Sequence, residues 1–472
     1  MAETSPAAPR SPGEDGPPGT RVLRYTAAWL TGALPAFAVL TALWIYPADF
    51  GGVGGISLGA FALMFPVAVR QLKVPRRVEF VHFLLGAGLV FCIVSVLTGA
   101  ANGLTDEAYT MPRYVGLLLS HQDPYTVPLV FDYTQYGHPL HSQTTYLYGP
   151  LLMFLQVPGL DYKWFAVGGW VILVLLVRKR FDIAVMLAQP YVAIIAANGY
   201  NDLVVLVFLS LAFVGYEGRR QKWAQWLSLG MKQFANVFVL AYYVVRRDWR
   251  NFTLTAAISA AFILPFLLWS GKAVLCPALL MDQLPSCGTG GPSYLADYSL
   301  WVIWGVAIFY YPFVRAARRL TSGGRWKGLL EWSGFQFDEL LRLPAFVVVG
   351  VSGVFVNLCV FTLLGVQLGH ATSIVLLASA AAFGVALLWN FSWNRSWAFQ
   401  GRGDRSVAYH LAIYGAIQAT ALGVNLGVLA LGVDLGEGAL ESQLVGIVLG
   451  SVIGYVANLR WNFRAPRPVV PA

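Results

Sequence analysis

Residues 344–367 read PAFVVVGVSGVFVNLCVFTLLGVQ and contain no charged side chain. A helix needs about 20 predominantly apolar residues to cross the hydrocarbon core of a bilayer, so this stretch predicts a transmembrane helix. Similar stretches recur along the chain, and together they predict an all-α polytopic membrane protein with about twelve such helices. The predicted spans are residues 25–46, 52–70, 78–99, 162–177, 182–199, 202–216, 251–270, 299–314, 344–367, 371–393, 407–431 and 440–459.

The composition of the whole chain agrees with this fold class. Of the 472 residues, 57% are hydrophobic and only 12% are charged, whereas soluble domains carry about 25% charged residues. This balance argues against a soluble enzyme, a disordered chain and a nucleic-acid-binding domain, although the net charge is +9. Residues 1–22 are rich in Pro, Gly and Ala, and they are predicted to form a disordered cytoplasmic tail.

The basic residues predict the orientation of the spans. If the N-terminus is cytoplasmic and the spans alternate, all but four of the 32 basic residues fall on the cytoplasmic side, as the positive-inside rule requires. This count holds only if residues 223–245 form a broken or re-entrant pair and residues 146–158 form an outer-face or partly inserted helix. Both termini are then cytoplasmic, in the cell membrane. The four exceptions are Arg113, Lys163, Lys232 and Lys272.

The chain divides into two membrane modules at a basic segment. Residues 316–337 are predicted to be a cytoplasmic linker, because charge density is high there and falls again after it. Cys276 and Cys287 fall in the predicted outer loop 271–297, where an oxidising environment permits a disulfide. The predicted parts are the tail 1–22, a module 23–315, the linker 316–337, a four-helix module 338–465 and a tail 466–472.

The outer loop 100–145 contains the first group of candidate functional residues. Asp106 and Glu107 follow span 78–99 at the membrane surface, where a carboxylate is suited to act as a general base. The alternative is that this acidic pair caps the next helix. Residues 112–120 are predicted to form a short interfacial helix with Pro in its first turn.

The order of motifs in and after this loop resembles the integral-membrane GT-C glycosyltransferases that use polyprenyl-phosphate sugars. The matching motifs are Asp106-Glu107-x-Tyr109, Arg113, His121-Gln122-Asp123-Pro124-Tyr125 and Tyr146-x-Tyr148-Gly149-Pro150. The resemblance implies that Asp106, with Glu107 as second candidate, is the catalytic base. It also implies substrate-binding roles for Tyr109, Arg113, His121, Asp123, Tyr125, Tyr146 and Tyr148.

The resemblance continues downstream to about residue 315. Asn201 and Asp202 begin a span, and Gly230-Met231-Lys232-Gln233 follows at the place where family members have a Lys-Pro pair. A charge within the membrane costs about 2.5–3.5 kcal/mol, so Lys232 needs an explanation: it binds a lipid phosphate, snorkels to the surface or pairs with an acid. Asn201 and Asp202 either bind substrate or cap a helix. Gln233 is a further substrate-binding candidate.

The C-terminal module repeats itself. Asn394-Arg395-Ser396-Trp397-Ala398-Phe399 and Asn458-Leu459-Arg460-Trp461-Asn462-Phe463 share the pattern Asn-x-x-Trp-x-Phe, which predicts two tandem helical hairpins. Residues 338–465 resemble the GtrA-like family, also found as the transmembrane unit of some dolichol-phosphate mannose synthases. The candidates for holding a lipid phosphate are Asn390, Asn394, Arg395, Asn458 and Arg460. The alternative is that these residues anchor the helix ends at the membrane surface.

The two resemblances together imply an inverting glycosyltransferase that moves a sugar from a polyprenyl-phosphate donor to a cell-envelope glycan or glycolipid on the outer face. The C-terminal module would present or translocate the donor. No cofactor, metal or nucleic acid is expected. The alternatives are a non-enzymatic flippase or presenter, and a membrane anchor for a cytoplasmic polyprenyl-phosphate sugar synthase.

Overall fold

The computed structural model describes residues 18–45, 52–75, 77–99, 107–135, 138–144, 146, 149–155, 160–215, 219–270, 298–309, 342–368, 372–402, 405–435 and 439–463. Asp106, Tyr148, the linker 316–337, the C-terminal tail 466–472 and the two outer-loop cysteines lie outside these residues. The chain divides into two units, Met1–Tyr310 and Tyr311–Ala472.

The N-terminal unit is mostly helical. Its described helices are α1 (Pro18–Ile45), α2 (Gly52–Ala62), α3 (Phe65–Gln71), α4 (Arg77–Thr98), α5 (Glu107–Leu119), α6 (Pro150–Leu155), α7 (Tyr162–Val177), α8 (Phe181–Ala188), α9 (Pro190–Ala197), α10 (Asp202–Ser210), α11 (Arg219–Leu229), α12 (Gln233–Val245), α13 (Trp249–Ser270) and α14 (Tyr298–Phe309). A π-helical turn, Leu211–Gly215, extends α10.

Several predicted spans are divided in the structure. Span 182–199 breaks at Gln189, whose extended backbone precedes Pro190, because a residue before proline disfavours the helical conformation. The ambiguous segment 223–245 consists of α11 and α12, separated at Gly230–Lys232. Helix α1 begins at Pro18, so the predicted tail 1–22 is wrong for its last five residues; proline suits a first helical turn.

Among the described residues, five helical stretches are long and apolar enough to cross a membrane by length and composition. They are Gly54–Gln71, Arg77–Thr98, Trp249–Ser270, Arg342–Leu364 and Val407–Asn425. Helices such as α8, α9 and α10 are shorter than the thickness of a bilayer. The total of about twelve spans therefore stays a prediction.

The helical membrane fold agrees with the all-α prediction, and one β-hairpin in the loop 100–145 is added to it. Strands β1 (Leu129–Gln135) and β2 (His138–Thr144) pair antiparallel, with Leu129 opposite Thr144 and Gln135 opposite His138. The first strand reads LVFDYTQ, which is rich in the β-branched and aromatic residues that favour strands.

The core of the N-terminal unit is built around α9, whose eight residues are all buried. A helix that is apolar on every side must be surrounded by other elements, and α4, α7 and α1 pack against it. Trp170 of α7 donates its indole N–H to the Leu187 carbonyl at 2.8 Å and lies over Gly88 of α4. This packing fixes the position of the following turn, Asn198–Asp202, which enters the candidate site.

The C-terminal unit contains four described helices in two hairpins. They are α15 (Arg342–Leu368), α16 (Thr372–Trp393), α17 (Val407–Asp434) and α18 (Ala439–Ala457). Helix α15 packs against α16 and α17 against α18. Small residues allow close approach, since a side chain at Gly446 or Gly450 would lie 2.8 Å from the Asn425 or Ala421 carbonyl oxygen.

The two copies of the Asn-x-x-Trp-x-Phe pattern fold alike. Each ends its hairpin in a π-helical turn, Asn394–Ala398 and Asn458–Asn462. The N–H of Phe399 donates to the Asn394 carbonyl at 2.8 Å, and the N–H of Phe463 donates to the Asn458 carbonyl at 2.7 Å. The rings of Phe399 and Phe463 stack with centroids 4.7 Å apart, so the two turns meet at the same end of the unit.

Candidate functional site

Helix α5 is held in place by an aromatic cluster beneath it. Met111 and Tyr114 of α5 are buried against Tyr125, Tyr146 and Phe266. The centroid of the Tyr146 ring lies 5.2 Å from those of Tyr114 and Tyr125, and Phe266 of α13 meets Tyr125 edge to face at 5.5 Å. Such edge-to-face pairs are favourable beyond the area they bury. The cluster joins the loop 100–145 to the helices of the unit.

This packing shows where two of the predicted substrate-binding tyrosines lie. Tyr125 and Tyr146 are only 2% and 1% exposed and pack against α5, and a contact between them and a substrate stays a prediction. Burial also raises the pKa of the Tyr125 phenol, because the ionised form would lose its hydration; the nearby Asp123 carboxylate adds to the shift. The Tyr146 hydroxyl donates to the Gly149 carbonyl at 2.9 Å.

Asp123 ties the loop to the end of α13. One carboxylate oxygen accepts from the Tyr125 N–H at 2.9 Å and from the Ser270 hydroxyl at 2.8 Å. Such bonding to the backbone two residues later is typical of an Asx turn. His121 is exposed and has a left-handed backbone, with φ of 58°. Asp123 therefore has a positioning role in this structure.

The remaining candidates of the first group lie on or beside α5. This helix begins at Glu107, earlier than the predicted 112–120, and it contains Pro112 in its interior rather than in its first turn. Arg113 is exposed on the face opposite the aromatic cluster. Glu107 and Tyr109 belong to α5, but their side chains are outside the described residues. Asp106 directly precedes the helix.

The break between α11 and α12 packs against the start of α6. The Gly149 N–H donates to the Met231 carbonyl at 2.9 Å, and the Leu151 N–H donates to the Gly230 carbonyl at 2.8 Å. A Cβ atom at Gly149 would lie 2.3 Å from the Gly230 oxygen, so only glycine allows this approach. The structure thus brings Gly149 of the Tyr-Gly-Pro motif against the Gly-Met-Lys motif, although Gly149 and Gly230 are 81 positions apart in the sequence.

Lys232 forms a buried ion pair at this break. Its ammonium group lies 2.8 Å from Asp202 Oδ2 and 3.4 Å from Asn201 Oδ1, and the two charged side chains are 2% and 0% exposed. The other carboxylate oxygen of Asp202 accepts from the Trp301 indole N–H at 3.0 Å. The contact is possible because α10 and α11 are neighbours, so Lys232, which follows α11, returns to the level where α10 begins.

This geometry shows one of the interpretations left open for these residues. Lys232 pairs with an acid, and its charge is neutralised and buried, while its binding to a lipid phosphate stays a prediction. Asn201 is the N-cap residue of α10 but makes no side-chain capping bond. Gln233 begins α12, and its side chain is outside the described residues.

In the C-terminal unit, buried polar side chains gather at the π-helical turns. Asn394 Nδ2 donates to the Tyr414 hydroxyl at 3.0 Å. In the second copy, Asn458 Nδ2 donates to the Gly454 carbonyl at 2.8 Å and Asn462 Nδ2 donates to Asn458 Oδ1 at 3.0 Å. Asn462 Oδ1 in turn faces His410 Nδ1 at 2.8 Å. These contacts add Tyr414, Asn462 and His410 to the polar residues that the sequence predicted at the two turns.

The predicted phosphate-binding residues differ in exposure. Asn394 and Asn458 are buried, Asn390 and Arg395 are half-buried, and Arg460 is exposed. Within the part of the chain that the structure describes, Arg395 NH1 and the Oδ1 atoms of Asn390 and Asn394 are buried without a hydrogen-bond partner.

Sequence reasoning missed His410, Asn462 and Tyr414. The repeat offers the signal that would have found the first two. His410 stands 64 positions after Phe346, the same offset as between the two motifs, and Asn462 is the motif position that is Ala398 in the first copy. A histidine and an asparagine at positions that are apolar in the other copy mark a local difference between otherwise similar hairpins.

Comparisons with known proteins identify one part of the chain. Residues 345–463 match the family model described as GtrA/DPMS, transmembrane domain. Neither the curated proteins nor the solved structures give a match to the chain. The C-terminal unit therefore has a GtrA-like domain, and the apolar helices together with this domain make the chain a membrane protein.

Proposed function

We propose that this protein is a membrane glycosyltransferase with a fused module that presents or translocates its lipid-linked donor. The observation that carries the proposal is the GtrA/DPMS match at residues 345–463, a domain type associated with polyprenyl-phosphate sugars. The N-terminal unit would use that donor at the outer face of the cell membrane. Both chain termini are assigned to the cytoplasm on the positive-inside distribution of Arg and Lys.

The N-terminal unit supports this proposal through the placement of α5. The aromatic cluster fixes one face of the helix, so Arg113 on the other face is free to meet a ligand at the membrane surface. The candidate base Asp106 immediately precedes this helix in the sequence. An arginine suits a phosphate group, because its guanidinium presents several donors in one plane.

The proposed reaction is a single displacement at the anomeric carbon of the donor sugar. The acceptor hydroxyl forms the new C–O bond as its proton passes to the Asp106 carboxylate. The bond between the anomeric carbon and the phosphate oxygen breaks, and polyprenyl phosphate leaves with inversion of the anomeric centre. Arg113 stabilises the charge that develops on the leaving group. The Lys232–Asp202 pair holds the neighbouring helix break in place.

Transfer by the purified protein tests this assignment. The full-length chain is given a radiolabelled polyprenyl-phosphate sugar and a cell-envelope glycan or glycolipid acceptor, and the labelled product is counted. We expect Asp106→Asn to abolish transfer without changing the melting temperature, with a loss of at least about 100-fold for a general base. Asp132→Asn, in strand β1, is the matched control. Full activity of Asp106→Asn would overturn the assignment and make Glu107 the next residue to test.

A non-enzymatic carrier of polyprenyl-phosphate sugars is the second candidate function. It is favoured by the family match, which falls entirely in the C-terminal unit, and by Lys232, whose charge is already neutralised. Movement of labelled lipid across a proteoliposome membrane with no release of polyprenyl phosphate would select the carrier. A membrane anchor for a cytoplasmic polyprenyl-phosphate sugar synthase is a third function, and co-purification of such an enzyme would select it.

A further inference from the structure

His410 is the one histidine among the described residues of the C-terminal unit, and it lies inside the unit. It is 1% exposed, and its ring stacks on Phe463 with centroids 5.4 Å apart and an interplanar angle of 12°. Phe463 stacks on Phe399 in turn. The imidazole thus belongs to a row of rings that joins the two π-helical turns.

The hydrogen bonds around His410 fix which of its nitrogens carries the proton. The Gly454 carbonyl can only accept, so Asn458 must present Nδ2 to it and Oδ1 to Asn462. Asn462 then donates from Nδ2, which leaves its Oδ1 facing His410. Since that oxygen can only accept, His410 Nδ1 is the protonated nitrogen. In the neutral ring Nε2 is therefore an acceptor.

No donor meets this acceptor within the described ranges. Nε2 is buried and has no hydrogen-bond partner in that part of the chain. A buried polar atom normally has a partner, so this nitrogen points to a group that binds there.

The first copy of the repeat shows that the fold does not require this histidine. Phe346 takes the equivalent place and packs against Phe399 with centroids 6.0 Å apart. The position equivalent to Asn462 is Ala398, which is also buried. The histidine and the asparagine that fixes its tautomer are therefore present together in the second hairpin and replaced together by apolar residues in the first.

We infer that His410 Nε2 accepts a hydrogen bond from a hydroxyl group of the sugar carried by a polyprenyl phosphate. This inference rests on the proposed function for the class of ligand. A polyprenyl-phosphate sugar is a phosphodiester without an O–H group on phosphorus near neutral pH, so its donors are the sugar hydroxyls. The C-terminal unit then contacts the sugar as well as the lipid phosphate.

A second buried atom, a hydrogen-bond donor on Arg395, suits the phosphate part of such a ligand. Arg395 NH1, in the first π-helical turn, is a charged donor without a partner among the described residues, which suits a phosphate oxygen. The stacked Phe399 and Phe463 rings bring the two turns together, so the donor and the acceptor lie at the same end of the unit. Arginine would hold the phosphate and histidine the sugar.

Two isosteric variants test the roles of the two His410 nitrogens separately. Asparagine places an amide near Nδ1 and keeps the bond to Asn462 but has nothing at Nε2, whereas glutamine reaches the Nε2 position. The probes are farnesyl phosphate, farnesyl phosphoryl mannose and farnesyl phosphoryl glucose, titrated calorimetrically into full-length protein in detergent. We expect His410→Asn to weaken the better-bound sugar probe by about tenfold. Farnesyl phosphate should bind unchanged, and His410→Gln should retain most of the affinity for sugar.

The other outcomes of this experiment overturn distinct claims. Unchanged binding of both sugar probes by His410→Asn, or an equal loss for all three probes, overturns the sugar contact and leaves the proposed function standing. If the wild-type protein binds none of the probes, the proposed function fails and the inference fails with it. His82→Asn, on an exposed face of α4, is the matched control, and melting temperatures verify that each variant is folded.

Discussion

The N-terminal unit buries a pair of opposite charges, Lys232 and Asp202, whereas the C-terminal unit buries a hydrogen-bonded row of polar side chains, His410, Asn462 and Asn458. In the first group each charge faces its counterion, and Trp301 and Asn201 add further contacts. In the second group the row of hydrogen bonds starts at a backbone carbonyl and ends at Nε2. The comparison separates a group that stabilises the fold from one that has an atom available for a ligand.

The largest expected effect comes from breaking the charge pair. Lys232→Met leaves the Asp202 carboxylate buried without its counterion, and we expect a loss of about 3–5 kcal/mol in the free energy of unfolding. Equilibrium unfolding in mixed micelles measures it. The double variant with Asp202→Asn should recover much of the loss, and Lys179→Met, at an exposed turn, should change little. Loss of transfer at unchanged stability would show instead that Lys232 acts on the substrate.

The next effect tests the backbone contact that places Lys232. Gly149→Ala forces a Cβ atom against the Gly230 carbonyl oxygen, and we expect a destabilisation of about 1–3 kcal/mol, measured by the melting temperature. Gly116→Ala is the matched control, because nothing lies within 4 Å of its Cβ position on α5. Equal melting temperatures for the two variants would contradict the close approach of the two motifs.

A third experiment compares the second hairpin with the first. Asn462→Ala leaves the His410 Nδ1–H without its acceptor, and we expect a loss of about 1–2 kcal/mol. The double variant His410→Phe with Asn462→Ala copies the Phe346 and Ala398 pair of the first hairpin, so its melting temperature should return close to that of the wild type. A double variant less stable than Asn462→Ala would show that the polar row supports the fold itself.

The smallest effect extends the comparison to a half-buried charge between two helices. Asp248 precedes α13 and accepts hydrogen bonds from the side chain and the backbone N–H of Asn251, which lower the pKa of its carboxyl. A lowered pKa in the folded state means that its contribution is present above the unfolded pKa and is lost as pH falls through the folded value. The melting temperature of Asp248→Asn should therefore decline less on acidification than that of the wild type. Identical declines would contradict this coupling.

The sequence predicted the helical membrane fold and the C-terminal repeat well, because both follow from patterns that are local in the chain. Apolar length marked the helices, and the repeated Asn-x-x-Trp-x-Phe ends marked the two hairpins. The interruptions between helices were harder to predict. Pro190 signals one of them, but the interruption at Gly230–Lys232 was located only by its backbone contacts with Gly149 and Leu151. The β-hairpin was not predicted, because both of its strands lie within residues 100–145, which were interpreted as a loop between two spans.

The surroundings of the candidate residues could not be predicted from the sequence. Tyr125 and Tyr146 match a motif, and only the structure shows that both are buried in an aromatic cluster. Asp123 binds Ser270, which is 147 residues away, and no local pattern indicates that partner. His410 was missed because a single histidine in an apolar helix indicates no function until the residues around it in the structure are known.

The amino-acid sequence by itself determined three properties of this protein. It lies in a membrane, its apolar helices fall at definite places along the chain, and one motif is repeated in its C-terminal part. These properties depend on the free energy of transferring successive side chains into hydrocarbon, which each segment carries independently of the others. Only the tertiary structure decided that Lys232 neutralises Asp202 and that His410 ends a hydrogen-bonded row. Pairing of buried polar groups is a property of atoms brought together from distant parts of the chain, so it follows from packing and not from order along the sequence.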